Sequence, residues 1–285
     1  MLNNVSQGSI NVDGFELRYV IEGTGPTAIV VGSSIYYPRT FSSHLRNHLQ
    51  MIFMDHRGFG KATKTFDNQS FELDCLLEDI EVLRKKLKLE KVIIIGHSGH
   101  AYMALEYAKK YSDYVSQVIL VAVGPNQSIA SHIVADQYFQ DSVCPERKAW
   151  LEEDLKKLPQ DIEKYPDKRF ISFCKRLGAK SWYDYTFDSS NLWDGVEIIQ
   201  SMFDYVWGVV FAELDITQGL DSFDKPVLLM LGKFDYLVTP FFSWQESRSK
   251  FKNITIRLFE KSSHTPQYEE SENFDRTLLE WLNIK

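Results

Sequence analysis

The chain has 285 residues, 44% of them hydrophobic, which is enough to bury one large core or a core with an inserted subdomain. Its formal net charge is −7 and its acidic and basic residues are interleaved without a basic stripe, so nucleic-acid binding is not expected. The polar start Met1–Ser9 lacks a signal-peptide pattern, the longest apolar runs are far shorter than a membrane span, and the three cysteines have no metal-ligand spacing. These features favour a cytoplasmic protein with reduced thiols, no metal, no cofactor and no membrane contact.

Strand patterns alternate with helix patterns over the first 125 residues. Gly8–Val12 and Phe15–Ile21, joined by Asp13-Gly14, predict a β-hairpin. Buried strands are predicted at 27–31, 51–54, 92–95 and 117–123, and helices over the segment that ends at Leu49, over 71–88 and after residue 100. This alternation indicates right-handed βαβ units and therefore an α/β protein with a mostly parallel central sheet flanked by helices.

The pattern changes at about Asn126 and changes back at about Ser222. Between them the sequence has only helix-like segments, broken by prolines and rich in large aromatic residues. Strands at 227–231 and 254–259 and a final helix then resume the sheet pattern. The predicted organisation is a core of residues 1–125 and 222–285 with an all-helical cap, residues 126–221, over the carboxyl edge of the sheet, where open α/β folds bind ligands. The aromatic rings either line a cavity or form the cap's own core; for any single ring the core is favoured.

A Gly-x-Ser-x turn lies between a predicted strand and a predicted helix at Gly96-His-Ser98-Gly99. An ordinary strand-to-helix turn has the same pattern, and the usual fifth residue of G-x-S-x-G, glycine, is here His100. As a nucleophile elbow, the turn would raise the Ser98 hydroxyl to the carboxyl edge of the sheet. It would also leave the N–H of Gly99 at a helix N-terminus, where it could bind an oxyanion.

Asp235 and His264 each follow the end of a predicted strand, as Ser98 does. Because parallel strands end at one edge of a sheet, the three side chains are expected to meet there. A serine hydroxyl needs a neutral imidazole to accept its proton, and the imidazole needs a carboxylate to fix its tautomer. Taken singly, His264 could be a surface histidine and Asp235 a turn residue. Their joint placement predicts a catalytic triad of Ser98, His264 and Asp235.

The other histidines are predicted to have structural roles. His97 and His100 flank Ser98, and immediate neighbours of an elbow residue are expected to project away from its hydroxyl. His56 belongs to the turn after its strand. No group of histidines has the spacing of metal ligands.

With these motifs the chain resembles the α/β-hydrolase family along nearly its whole length. The motifs that carry the resemblance are Asp55-His-Arg-Gly-Phe-Gly60, Gly96-His-Ser98, Gly232-Lys-Phe-Asp235 and Ser263-His264-Thr-Pro. The chain is most similar to the capped branch that contains proline iminopeptidases and related esterases. The resemblance implies two oxyanion donors, the N–H of Gly99 and one from the loop after the third strand, where Ser34 is the matching residue.

The resemblance also suggests substrate contacts. Iminopeptidase-like enzymes bind the substrate's amino group with acidic residues of the cap, and Asp204 lies roughly where tricorn-associated aminopeptidases carry one of them. Those relatives have a second acid directly after the catalytic aspartate, where this chain has Tyr236. Asp204 and Tyr236 are therefore candidate substrate contacts, while Asp204 is equally consistent with a solvated helix position.

The sequence thus predicts a serine hydrolase that acts by acyl transfer on a small ester or amide with an apolar acyl group. The first alternative is a proline iminopeptidase-like aminopeptidase. A second is a non-catalytic or slow ligand receptor of the same fold. C–C bond hydrolases and acyltransferases share the triad. The expected partner is a small-molecule substrate, and the sequence does not indicate an oligomeric state.

Overall fold

The computed structural model describes residues 5–284. Residues 1–4, part of the polar start Met1–Ser9, lie outside the described residues, as does residue 285, the last of the second predicted core segment. The strands are β1 (Ser6–Val12), β2 (Phe15–Glu22), β3 (Thr27–Gly32), β4 (Gln50–Asp55), β5 (Lys61–Ala62), β6 (Val92–His97), β7 (Val115–Val121), β8 (Val227–Gly232) and β9 (Ile254–Phe259).

These strands form one sheet in the order β1-β2-β4-β3-β6-β7-β8-β9, with β5 paired to β2. From β4 to β9 every neighbouring pair is parallel, whereas β1, β2 and β5 pair antiparallel. The β1–β2 hairpin turns at Asp13 and Gly14, both with positive φ, as a two-residue primed turn requires. The predicted mostly parallel sheet and its hairpin are confirmed.

Helices cover both faces of the sheet. The α-helices are α1 (Tyr36–Thr40), α2 (Leu73–Lys86), α3 (Gly99–Lys110), α4 (Ile129–Ser142), α5 (Pro145–Leu155), α6 (Leu158–Lys164), α7 (Arg169–Arg176), α8 (Gly178–Ser181), α9 (Gln200–Tyr205), α10 (Trp244–Ser247), α11 (Pro266–Glu269) and α12 (Ser271–Leu282). A π-helical turn, Val206–Val210, continues α9. All regular secondary structure described between β7 and β8 is helical, and this stretch is called the helical segment below.

The buried strands divide their side chains between two hydrophobic clusters, one on each face of the sheet. In β6, Val92 and Ile94 pack into one cluster and Ile93 and Ile95 into the other. Residues 92–95 are fully or almost fully buried. Burial on both faces explains why these strands read as continuous apolar runs instead of alternating patterns. Within the described chain, no helix combines the length and apolar character that crossing a membrane requires.

The predicted helix that ends at Leu49 is instead two short pieces, α1 and a 3₁₀ turn at His44–Asn47. The break leaves carbonyl groups without helical partners, and the Arg46 guanidinium donates hydrogen bonds to two of them, Phe41 O at 2.6 Å and Pro38 O at 2.7 Å. Residues 241–250 form two 3₁₀ turns, one on either side of the short helix α10.

Candidate active site

Ser98 lies in a sharp turn between β6 and α3, with φ 57° and ψ −134°. A non-glycine residue with positive φ is uncommon, and at Ser98 this conformation belongs to the tight turn into α3. Gly96 permits the turn, because a Cβ there would lie 2.4 Å from the carbonyl oxygen of His100 and 2.5 Å from Cα of Ala101. The turn therefore holds the serine at the carboxyl edge of β6 with the helix packed tightly against the strand.

The structure brings the three predicted triad side chains together. His264 Nε2 lies 2.8 Å from Ser98 Oγ, and His264 Nδ1 lies 2.7 Å from Asp235 Oδ2. Because a carboxylate only accepts, Nδ1 carries the proton, and Nε2 is left with a lone pair for the serine hydroxyl. Asp235 Oδ1 accepts a further bond from the N–H of Leu237 at 3.0 Å. The arrangement is able to take the proton of Ser98 as its oxygen attacks an electrophile.

The loop that carries His264 is anchored by Glu269, a residue outside the predicted triad, oxyanion hole and substrate contacts. Glu269 Oε2 accepts from the N–H groups of Ser263 and Thr265 at 3.0 and 3.1 Å, the two residues that flank the histidine. Its Oε1 accepts from the N–H of Tyr183 in the helical segment at 2.5 Å. Burial raises the pKa of Glu269 to about 7, although these backbone donors favour its charged form. An acid a few residues after a histidine gives no sign in the sequence that it folds back in this way.

Two buried histidines, His97 and His100, flank Ser98 and line the cavity beside it, and the first of them contacts His264. The ring of His97 donates from Nε2 to the carbonyl oxygen of His264 at 2.6 Å. The Tyr37 hydroxyl lies 2.7 Å from His100 Nδ1 and 3.3 Å from His97 Nδ1. Burial lowers the pKa of His100 to about 3 and that of His97 well below its usual range, so both rings are neutral. His97 therefore supports the backbone of His264, and neither ring adds charge to the site.

The two predicted oxyanion donors differ in availability. Gly99 is the first residue of α3, where N–H groups have no intrahelical partner, and a Cβ at Gly99 would lie 2.7 Å from the indole ring of Trp207. The Ser34 N–H instead donates to Asp55 Oδ1 at 2.6 Å, and Arg18 donates to the other oxygen of that carboxylate at 2.9 Å. The structure therefore leaves the Gly99 N–H available but does not offer that of Ser34 as a second donor.

A cavity of about 250 Å³ opens beside Ser98 and His264. Aromatic side chains supply much of its wall, and five of them belong to the helical segment, where the sequence favours a core position for any single ring. Among the described residues that line the cavity there is no aspartate, glutamate, lysine or arginine. The aromatic lining residues are Tyr36, Tyr37, Phe59, Phe170, Phe173, Trp182, Trp193 and Trp207.

The two predicted substrate contacts lie outside this cavity. Asp204 is about half exposed and accepts from Arg169 at 2.5 Å and from Gln200 at 2.9 Å. Tyr236 is buried in a separate cluster with Phe139, and burial raises the pKa of its hydroxyl to about 12. Neither side chain reaches the space next to Ser98, so the structure does not bring Asp204 or Tyr236 into the site.

A doubly flanked, mostly parallel sheet with a serine at a strand-to-helix turn defines a hydrolase of the α/β class. The chain belongs to the α/β-hydrolase family, whose model for the alpha/beta hydrolase fold matches residues 24–271. It is 42% identical over 276 residues to the AB hydrolase superfamily protein YclE of Bacillus subtilis (strain 168), covering 97% of this chain and 98% of that protein.

Other relatives are more distant. A proline iminopeptidase of Heyndrickxia coagulans is 24% identical over 322 residues, covering 98% of this chain and 99% of that protein. A solved structure of an alpha/beta fold family hydrolase from Bacillus anthracis str. Sterne superposes with a TM-score of 0.70 at 18% identity, covering 97% of this chain and 99% of the other. The likeness to that structure shows a shared fold.

Proposed function

We propose that the protein is a serine hydrolase that cleaves a small, uncharged carboxylic ester, or a small amide, with an apolar acyl group. The observation that carries this proposal is the contact of His264 with both Ser98 and Asp235 at the mouth of an aromatic cavity. A buried site without charged lining residues binds neutral groups, since a buried charge without a partner is costly. The residue at the elbow is a serine, which is suited to acyl transfer.

The proposed reaction has two halves. The Ser98 oxygen attacks the substrate carbonyl carbon and passes its proton to His264 Nε2, while Asp235 stabilises the resulting imidazolium. The Gly99 N–H stabilises the tetrahedral oxyanion. The C–O or C–N bond to the leaving group then breaks as His264 returns the proton to it. Water, deprotonated by His264, attacks the acyl-enzyme and releases the acid and the free serine.

The iminopeptidase alternative is less well supported by this site. A substrate with a free amino group needs a carboxylate in the cavity, because a buried ammonium group must be paired. Asp204 is engaged with Arg169 at the surface, and the cavity wall carries no acid among the described residues. The geometry therefore favours an acyl group without a positive charge.

The proposal is tested by intact-mass analysis after treatment with a fluorophosphonate. The wild type should gain one adduct, and Ser98→Ala should gain none because the activated hydroxyl is missing. Ser172→Ala, which removes a buried serine outside the cavity, is the matched control and should still be labelled. Ester hydrolysis by Ser98→Ala should fall on the order of 10⁴-fold or more.

Two results would contradict the proposal. If the wild type takes no adduct, its serine is not activated and a ligand receptor of the same fold becomes the better explanation. If a proline arylamide is turned over much faster than an apolar acyl ester, the aminopeptidase alternative is correct.

A further inference from the structure

The oxyanion site beside Ser98 has no second donor from the loop after β3. The Ser34 N–H donates to Asp55 Oδ1 at 2.6 Å, which leaves the Gly99 N–H as the predicted donor that is still available. The oxygen of a tetrahedral intermediate accepts more than one hydrogen bond, and it is stabilised best by donors that are in place before the reaction. Another element that borders the cavity is the place to look for a second donor.

Trp207 packs directly over Gly99 and lines the cavity together with Ser98. A Cβ built on Gly99 would lie 2.8 Å from Trp207 Nε1 and 2.7 Å from its Cζ2, so the nitrogen-bearing edge of the indole faces Gly99 and only glycine leaves room for it. A Cβ lies about 2.5 Å from the nitrogen of its own residue, so the Gly99 nitrogen and Trp207 Nε1 are at most about 5.3 Å apart. Two donors that each reach one oxygen at about 2.9 Å can be up to about 5.8 Å apart. The separation therefore allows a single oxygen to accept from both.

The indole N–H of Trp207 is not used by the protein itself. Within residues 5–284, Trp207 Nε1 has no hydrogen-bond acceptor, and it keeps accessible surface, whereas the unpartnered Nε2 atoms of His56 and His100 are enclosed. A tryptophan N–H that is buried usually finds a partner. The buried Trp244, for example, donates from Nε1 to Val123 O at 2.8 Å. The Trp207 N–H is thus free for an acceptor that enters the cavity.

Aromatic neighbours hold the Trp207 ring in one orientation. Its ring centroid lies 4.9 Å from that of Phe203, 5.0 Å from that of Phe211 and 5.5 Å from that of Phe170. His100, which stands where the elbow usually has glycine, packs edge-on against the same indole at 5.4 Å. A donor that is fixed in this way needs no reorganisation as negative charge develops next to it.

We propose that the indole N–H of Trp207 is a second oxyanion donor, which acts together with the Gly99 N–H on the carbonyl oxygen of the bound acyl group. When the Ser98 oxygen adds to the carbonyl carbon, this oxygen becomes negatively charged and accepts from both N–H groups, which keep their protons. The two hydrogen bonds weaken again when the carbonyl re-forms. This inference rests on the serine-hydrolase function proposed above, and it assigns a catalytic residue to the helical segment.

Trp207→Phe tests the donor, because it keeps an aromatic ring and removes the N–H. With propyl hydrocinnamate as substrate, kcat should fall on the order of 10²-fold while KM changes by less than about threefold, since the hydrogen bond strengthens only as the oxyanion forms. Trp193→Phe makes the same exchange in the part of the cavity wall that packs on Tyr36 at 4.4 Å, and it is the matched control. Its kcat should change by less than about threefold.

Two ketones separate the loss of the donor from a loss of packing. Phenethyl trifluoromethyl ketone adds the Ser98 oxygen and forms a tetrahedral oxyanion, whereas phenethyl methyl ketone binds with its carbonyl intact. In titration calorimetry, Trp207→Phe should weaken binding of the trifluoromethyl ketone by roughly the factor lost in kcat, and that of the methyl ketone by less than about threefold. The comparison needs no turnover, so it also decides if the ester is a poor substrate.

An unchanged kcat in Trp207→Phe, or equal weakening of the two ketones, would overturn the inference. If Trp207→Phe is unfolded in a thermal melt, benzothienylalanine at position 207 takes its place, because this side chain keeps the shape of the indole and has sulfur instead of the N–H. Fluorophosphonate labelling of the same preparations separates this failure from failure of the proposed function. A labelled wild type with an unchanged kcat in the variant refutes only the second donor. A wild type that takes no label refutes the serine-hydrolase proposal itself.

Discussion

Glu269→Gln tests whether the backbone around His264 must be held for catalysis. The carboxylate accepts from the N–H groups of Ser263 and Thr265 with one oxygen and from that of Tyr183 with the other. Glutamine keeps one acceptor oxygen but turns an NH₂ group toward a backbone N–H, so at least one of these hydrogen bonds is lost. Since the two residues that flank the histidine are involved, we expect kcat to fall about tenfold with a smaller change in KM.

The same variant should change how stability depends on pH. Burial raises the pKa of Glu269 to about 7, whereas the unfolded chain has an ordinary glutamate. The folded state therefore binds more protons between these two pKa values, and stability falls as the pH rises through that range. From about pH 5 to about pH 8 this group should lower the unfolding free energy of the wild type by roughly 2 kcal/mol. The variant lacks the group and should not show this loss.

The assay is urea unfolding of both proteins at the two pH values, together with ester kinetics. Glu270→Gln is the matched control, because Glu270 accepts from Lys261 N and Ser262 Oγ on the same loop but not from the residues that flank His264. If Glu269→Gln and Glu270→Gln have the same kcat and the same pH dependence, Glu269 does not hold the histidine in place. If the two variants have the same pH dependence of stability but only Glu269→Gln has a lower kcat, the raised pKa of Glu269 is contradicted while its role in holding His264 stands.

Two further substitutions test the packing around the site. Gly96→Ala places a methyl group against the backbone of the turn, 2.4 Å from the carbonyl oxygen of His100. We expect about 3 kcal/mol of destabilisation in a thermal melt, together with loss of fluorophosphonate labelling. Unaltered stability would mean that the turn is not tightly packed. Asp79→Asn removes the buried carboxylate to which the Arg57 guanidinium donates at 2.7 and 2.8 Å. The free energy of unfolding in urea should fall by about 3 kcal/mol. A loss below about 1 kcal/mol would show that Asp13, the other partner of Arg57, is sufficient.

The sheet and the meeting of the triad were predictable because they depend on patterns that are local in sequence. Continuous β-branched runs such as 92–95 mark strands that are buried on both faces, and parallel strands end at one edge. Ser98 and Asp235 follow such strands, and His264 follows β9, a partly exposed strand at the edge of the same sheet, so topology alone brings them near one another. The contacts themselves, 2.7 Å from His264 to Asp235 and 2.8 Å from His264 to Ser98, are seen only in the structure.

Contacts that depend on how the chain turns, or on segments far away in the sequence, were not predictable. Glu269 reaches back to His264 only because α11 turns the chain after Pro266, and its second oxygen meets Tyr183 from the helical segment. Asp204 shows the reverse case, since its position in the sequence suggested a substrate contact. Its partner Arg169 lies 35 residues away in the chain, and their pairing at the surface could not be inferred from spacing.

The Ser34 loop shows why backbone donors are harder to predict than side chains. A backbone N–H has no residue identity that reveals its use, and its direction depends on which acceptor lies nearest. Here that acceptor is Asp55, a fully buried carboxylate that needs charge-assisted hydrogen bonds and receives them from Arg18 and the Ser34 N–H. The requirement of a buried charge therefore sets the direction of this loop. For Ser34 to serve as a second oxyanion donor, its N–H would have to leave Asp55, and this buried carboxylate would lose one of its charge-assisted hydrogen bonds.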